Sequence, residues 1–363
     1  KRSMLLNIGF IFLTLLLMLY LVSRAGDPKL ILTAFTTINP WWLAGAIGCF
    51  AVHVLLEGLI LRVFFYFQNV NISWGSCNLV GLIGMYYSSI TPAATGGQPM
   101  QAFAFKKRGV PAGVGYSSLA VKFFCWQCAL LLIGAGLWIA FGSQVHALLG
   151  KGVWLLALGF FLNSLMVSIV ILLAINRNLV RAIIIFFVNL AYRLRLVKNR
   201  EKTSSRMDAA LFDFHSSVEI LTQKPRQFLV LFLISMVQVT ALMSVLYFIY
   251  RGFSLTAHSY PQILALQFLL YITASFTPLP GASGAQEGGF YLFFRSFFPH
   301  ASLFAALLIW RFVTYYLFII VGFFAVFVDQ TLTLRRNRRL QQEAQAKAAA
   351  VEMMKEESQE DTN

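Results

Sequence analysis

Six apolar stretches, Met4 to Val22, Trp41 to Leu61, Val114 to Phe141, Val153 to Ile175, Phe228 to Tyr250 and Ala301 to Val328, constrain this chain most. As helices rising about 1.5 Å per residue, each can cross about 30 Å of hydrocarbon. A water-soluble fold has no interior large enough for six such runs in 363 residues, so the chain reads as an all-α polytopic membrane protein. Composition agrees, with 58% hydrophobic and 12% charged residues. Nearly all of the apolar sequence precedes Asp329, which predicts one integral domain over residues 1–330 and a cytoplasmic tail over 331–363. The tail starts in helix-favouring Ala, Gln, Glu and Lys and turns acidic and disordered at its end. The first stretch is too long for a signal-peptide core and lacks a small-residue cleavage site, so it is read as a retained helix.

Two further apolar regions are interrupted by helix breakers, at Thr91-Pro-Ala-Ala-Thr-Gly-Gly-Gln-Pro99 and at Thr277-Pro-Leu-Pro-Gly-Ala-Ser-Gly-Ala-Gln-Glu287. Proline removes a backbone donor and glycine admits left-handed backbone, so each region predicts two short arms meeting at a non-helical apex. The arms, Asn78 to Ile90 with Gly97 to Phe105 and Ile263 to Phe276 with Gln286 to Phe298, reach only part of the way across a bilayer. Irregular backbone at that depth survives only where protein or a water-filled cavity satisfies it.

Charge bias sets the topology. Between Arg177 and Arg226 there are ten Lys or Arg against four acids, and Lys106-Lys107-Arg108 and Arg335-Arg336-Asn337-Arg338-Arg339 form the other basic clusters. All three lie on one face only if both broken regions are re-entrant, the first entering from the cytoplasm and the second from outside. The expected architecture is therefore six crossings plus two oppositely oriented re-entrant hairpins, with both termini cytoplasmic. Helix, hairpin, helix occurs twice, at about 41–141 and 228–328, which is the pattern of an inverted repeat with its binding site near the midplane. Residues 176–226 form a basic cytoplasmic segment in which Leu179 to Leu196 reads as an interfacial helix. The net charge of +15 lies in loops beside apolar segments, so anionic inner-leaflet lipid is the expected partner and nucleic acid is not.

Buried charge points to the site. Lys122 and Arg311 lie well inside their helices, and they follow Gln98 and Gln286 by 24 and 25 residues, so each repeat places one cation after its hairpin. Two such cations facing one cavity suit an anionic lipid headgroup, and the alternative is that each is neutralised by a local acid such as Glu57 or Glu287. Half-helix starts near Gly96, Gly97 and Gly284, Gln286 supply backbone amides, and Thr91, Thr95, Gln98, Thr277, Gly281 and Ser283 complete the expected headgroup site. Glu287 either exchanges a proton, meets a cationic headgroup or caps its half-helix. Glu57 reads as snorkelling or locally paired near Arg62. Cys125-x-x-Cys128 lies in an apolar helix and the five histidines are scattered, so no catalytic residue, metal or cofactor is expected. Self-association is left open.

The pattern P-x-x-x-G-G-x-P at Pro92 to Pro99, running into Lys106-Lys107-Arg108-Gly109, and P-x-P-G-x-x-G-x-x-E at Pro278 to Glu287 resemble the transmembrane region of lysylphosphatidylglycerol synthases, a flippase-like membrane family. The resemblance implies a lipid flippase in a bacterial cytoplasmic membrane. It would translocate an anionic or aminoacylated phospholipid and so confer resistance to cationic antimicrobial peptides. Bifunctional members carry a soluble domain that transfers lysine from charged tRNA; the 35 residues after Val328 in this sequence are too few to form one, so a stand-alone member is expected. Two alternatives follow: the membrane part of a lysyltransferase acting with a separate synthase chain, or a translocator of isoprenoid or glycolipid carriers.

Overall fold

The computed structural model describes residues 36–193, 211, 215, 216, 219 and 223–333, and every regular element among them is helical. Helix α1 (Pro40–Phe67) begins at a capping Asn39, whose side chain accepts from Trp41 N at 3.0 Å, with Pro40 in the first turn. A first short pair follows, α2 (Trp74–Ile90) and α3 (Gly97–Lys107), joined by a 3₁₀ turn at Pro92–Ala94. Long helices α4 (Ala112–Leu149) and α5 (Val153–Ile175) lead to α6 (Arg177–Arg193). The order then recurs: α7 (Pro225–Gly252), a short pair α8 (Tyr260–Ala274) and α9 (Ala285–Phe294) around a 3₁₀ turn at Pro280–Ala282, and α10 (His300–Arg311). A π-helical turn at Phe312–Tyr316 carries α10 onward, so that one apolar helix spans Ser302–Thr333.

Among the described residues, five helices are long and apolar enough to cross a membrane. They coincide with five of the six apolar stretches; the sixth, Met4 to Val22, lies outside the described residues, as does most of the 331–363 tail. Helix α4 is longer than its apolar core, at 38 residues, and bends at Phe141. The short helices have 17 and 11 residues in the first pair and 15 and 10 in the second, or about 15 to 26 Å of rise each.

Helices α1 and α7 form the most extensive packed pair, and they run antiparallel. Asn39 N donates to Gly252 O at 2.9 Å at one end, His53 meets the Gln238 backbone in the middle, and Leu231 shares a cluster with Phe64 and Phe65 at the other end. Each short pair is anchored at one end of this axis. Phe105, near the end of α3, stacks edge-on against Phe65 near the end of α1, and Ile72 and Cys77 at the start of α2 join the same cluster. At the opposite end, Tyr250 of α7 meets Phe298 just beyond α9, and Ser244 bonds Tyr260 at the start of α8. The two apices therefore approach from opposite ends of the α1/α7 pair, and they pack against each other.

The apices also hold most of the backbone strain. Among the described non-glycine residues with positive φ are Ala93, Ala94 and Ala282, all within these two turns. Left-handed backbone costs an L-residue about 1–2 kcal/mol and persists where the surroundings over-determine it, commonly at functional sites. Gly281 (φ 61°) adds a steric demand, because a Cβ there would lie 2.2 Å from the Tyr315 ring. Gly281→Ala is expected to destabilise the protein by about 2–4 kcal/mol. Thermal unfolding in detergent checks this, and an unchanged midpoint would refute the Tyr315 seat.

Candidate functional site

Glu57 gathers the first half of the site. Its carboxylate pairs with Lys122 of α4, accepts from Gln101 Nε2 of α3 at 3.3 Å and accepts from Gln238 Nε2 of α7 at 2.9 Å. Lys122 also donates to Gln101 Oε1 at 3.2 Å. One helical turn before Glu57, His53 Nδ1 lies 3.1 Å from the Gln238 carbonyl, which can only accept, so Nδ1 carries a proton. Small residues on α2 make room for this knot. A Cβ on Gly81 would fall 2.8 Å from Glu57 Cγ, and one on Gly84 would fall 2.3 Å from the Gln101 amide.

Arg311 gathers the second half. Its Nε lies 2.6 Å from Glu287 Oε1, and Nη2 donates to Gly281 O at 3.0 Å and to Ser283 Oγ at 3.3 Å. The guanidinium lies over the Tyr315 ring at 4.7 Å from its centroid. Glu287 Oε2 accepts from Gly284 N at 2.6 Å, so this carboxylate both caps α9 and neutralises Arg311. The π turn begins one residue after Arg311, and Tyr315 within it donates to Ser89 O at 3.1 Å, tying the second half of the fold to the end of α2.

Both halves line a single cavity of about 700 Å³ between the apices. Of the residues expected from sequence, Lys122, Arg311, Thr95, Gln98, Thr277, Gly281 and Gln286 line it. Thr91, Gly96, Gly97, Ser283, Gly284 and Glu287 do not line it; they belong to the two apices that do. Thr91 Oγ1 donates to Tyr87 O at 2.6 Å and accepts from Gly96 N at 2.9 Å, and Gly97 packs onto Ser88. Two expectations are thereby corrected. Both cations already have carboxylate partners, Glu57 and Glu287, as the local-acid alternative has it. The half-helix starts are not fully open, because the Gly96 and Gly284 amides already have side-chain acceptors.

Glu57 is a third correction. It is buried and turned toward Lys122, not snorkelling by Arg62, because a carboxylate flanked by apolar neighbours is held best by the nearest cation of a packed helix. His53, Gln101 and Gln238 were missed. A signal existed for two of the site's residues: Glu57 is the sole acid between Asp27 and Glu201, and His53 lies one turn away on the same helix face. Behind the second arm, Asn163 of α5 donates to Gly159 O, Ile272 O and Ser275 Oγ and accepts from Gln127, satisfying a carbonyl freed where α8 ends. At the base of the first pair, Arg108 donates to Asp329 at 2.5 Å, joining the end of α3 to the last turns of the Ser302–Thr333 helix.

A helical membrane protein with two broken-helix apices and charge-paired polar residues around one internal cavity is the class that this fold and site define. The chain matches the family model for the lysylphosphatidylglycerol synthase TM region over residues 4–322, and it belongs to that family. It is also similar to a protein of Archaeoglobus fulgidus described as a UPF0104 membrane protein, at 27% identity over 319 residues, covering 84% of this chain and 88% of that one.

Proposed function

We propose that this protein is a lipid flippase, which takes the headgroup of a membrane phospholipid into the cavity between the apices and passes it from one leaflet to the other. One observation carries the reading: a buried cation, Arg311, and a half-buried one, Lys122, come from the two halves of the chain and line a common cavity where broken helices converge. In membrane transporters, substrate sites form near the midplane where discontinuous helices meet. The two short helix pairs are read as re-entrant hairpins from opposite faces of the membrane, an arrangement that the anchoring at opposite ends of the α1/α7 pair supports. The acyl chains remain in the bilayer.

The charge balance narrows the substrate. Lys122 with Arg311 and Glu57 with Glu287 sum to zero, so a headgroup bearing both signs can exchange partners with them without leaving a buried charge alone. A phosphate would go to the cations and an ammonium to the carboxylates, as an aminoacylated phospholipid such as lysyl-phosphatidylglycerol provides. With the basic segments on the inner face, both termini are cytoplasmic and the setting is a bacterial cytoplasmic membrane. Resistance to cationic peptides would follow from less anionic charge on the outer surface.

Reconstitution into liposomes with leaflet-resolved labelled lipid tests the reading. The expected result is protein-dependent exchange of aminoacylated phosphatidylglycerol, and no exchange above protein-free vesicles would overturn it. In the same vesicles, cysteines placed at Lys107 and Lys224 should react from one side and a cysteine at His258 from the other. Labelling of Lys107 and Lys224 from different faces would remove the re-entrant arrangement.

A further inference from the structure

We infer that the wall of the cavity built by the second half of the chain is a subsite for the hydroxyl groups of a polyol, formed by Gln267 of α8, Gln286 of α9 and Trp310 of α10. This deepens the transport reading and rests on it for the source of the ligand. The two halves of the site differ in how far their polar groups are used. Around Lys122 the side chains of Glu57, Gln101 and Gln238 bond one another. In the second half of the chain, Gln267 Oε1, Gln286 Oε1 and Trp310 Nε1 have no hydrogen-bond partner among the described residues. All three residues line the cavity, and they are only 2%, 6% and 2% exposed.

A buried polar atom without a partner costs about 1–3 kcal/mol, so three on one wall mark a place built to be completed. Their chemistry selects the ligand. The two amide oxygens only accept, and the indole N–H only donates. With the amides oriented as they stand, an ammonium would satisfy the glutamines and leave Trp310 unmet, while a phosphate would satisfy Trp310 and repel the amide oxygens. A hydroxyl both donates and accepts, so adjacent hydroxyls meet all three atoms. Arg311 lies beside Trp310 in sequence and stands 5.9 Å from the indole centroid, so the cation to which the transport reading assigns the phosphate lies next to the hydroxyl site. The ligand class is therefore a polyol attached to a phosphate, as in a glycerol or sugar headgroup.

Calorimetric binding by the full chain in detergent tests this with short-chain phosphatidylglycerol and phosphatidylpropanol, which share charge and headgroup length and differ in the hydroxyls. The expected preference for phosphatidylglycerol is about tenfold, because sites built around hydrogen bonds discriminate against ligands lacking the partner. Trp310→Phe, Gln286→Met and Gln267→Met should each weaken phosphatidylglycerol about fivefold and change phosphatidylpropanol less than twofold. Any one of these variants that elutes as a monodisperse species carries the test. Equal affinities in the wild type, or parallel losses for both lipids in the variants, would overturn the subsite. Glycerol 1-phosphate and propyl phosphate separate the sources: selectivity between these soluble compounds at lipid-like affinity supports a free polyol phosphate, and selectivity confined to the lipids supports a headgroup. Selective binding without leaflet exchange would keep the subsite and sink the transport reading. Exchange without selectivity would do the reverse.

Discussion

Arg311→Met is expected to abolish leaflet exchange and to lower stability by about 3–5 kcal/mol, the range for removing one partner of a buried ion pair. The loss has two parts. Glu287 is left as an uncompensated buried carboxylate, and the second apex loses its tether to Gly281 O and Ser283 Oγ. Adding Glu287→Gln separates stability from transport. Glutamine keeps an acceptor for Gly284 N and carries no charge, so the double variant should regain most of the stability and none of the exchange. Denaturant unfolding in detergent and the vesicle assay read the two quantities independently. Recovery of exchange in the double variant would mean that Arg311 acts on the fold alone.

Glu57→Gln should separate binding from turnover at the first half of the site. Glutamine can keep the contact with Gln238, but Lys122 loses its counter-charge and becomes an unpaired cation lining the cavity. Affinity for an anionic phospholipid should rise about tenfold, equivalent to about 1.4 kcal/mol. Exchange should fall by a similar factor or more, since a headgroup phosphate held by Lys122 has no carboxylate to displace it. Lys122→Met should lose both binding and exchange, and leaves Glu57 buried with only amide partners. Unchanged lipid affinity in Glu57→Gln would show that the headgroup does not reach Lys122.

These outcomes depend on features of unequal legibility in the sequence. Proline and glycine at Pro92, Gly96 and Gly97, and at Pro278, Pro280 and Gly281, act on their own backbone, so the breaks in the helices could be read locally. The apolar runs were equally plain, because crossing hydrocarbon is a requirement of length and composition. Arg311 and Lys122 stood out for the same reason, as charges without local company. Glu57 was visible as a lone acid but its partner was not, since its position four residues after His53 shows a helix face but not the helix which that face meets.

By itself, then, the amino-acid order determined how many apolar helices the described chain would form, where two of them break and which cations lie within apolar helices, because each of these follows from properties of contiguous residues. Only the tertiary structure decided the pairings: Glu57 with Lys122 across 65 positions, Gln238 with Glu57 across 181, and Tyr315 with the Ser89 carbonyl across 226. Such contacts depend on the antiparallel packing of α1 on α7 and on the meeting of the two apices. Those are set by the summed fit of many apolar side chains. No short stretch of sequence contains that sum, and it is what turns two isolated cations into a charge-balanced cavity.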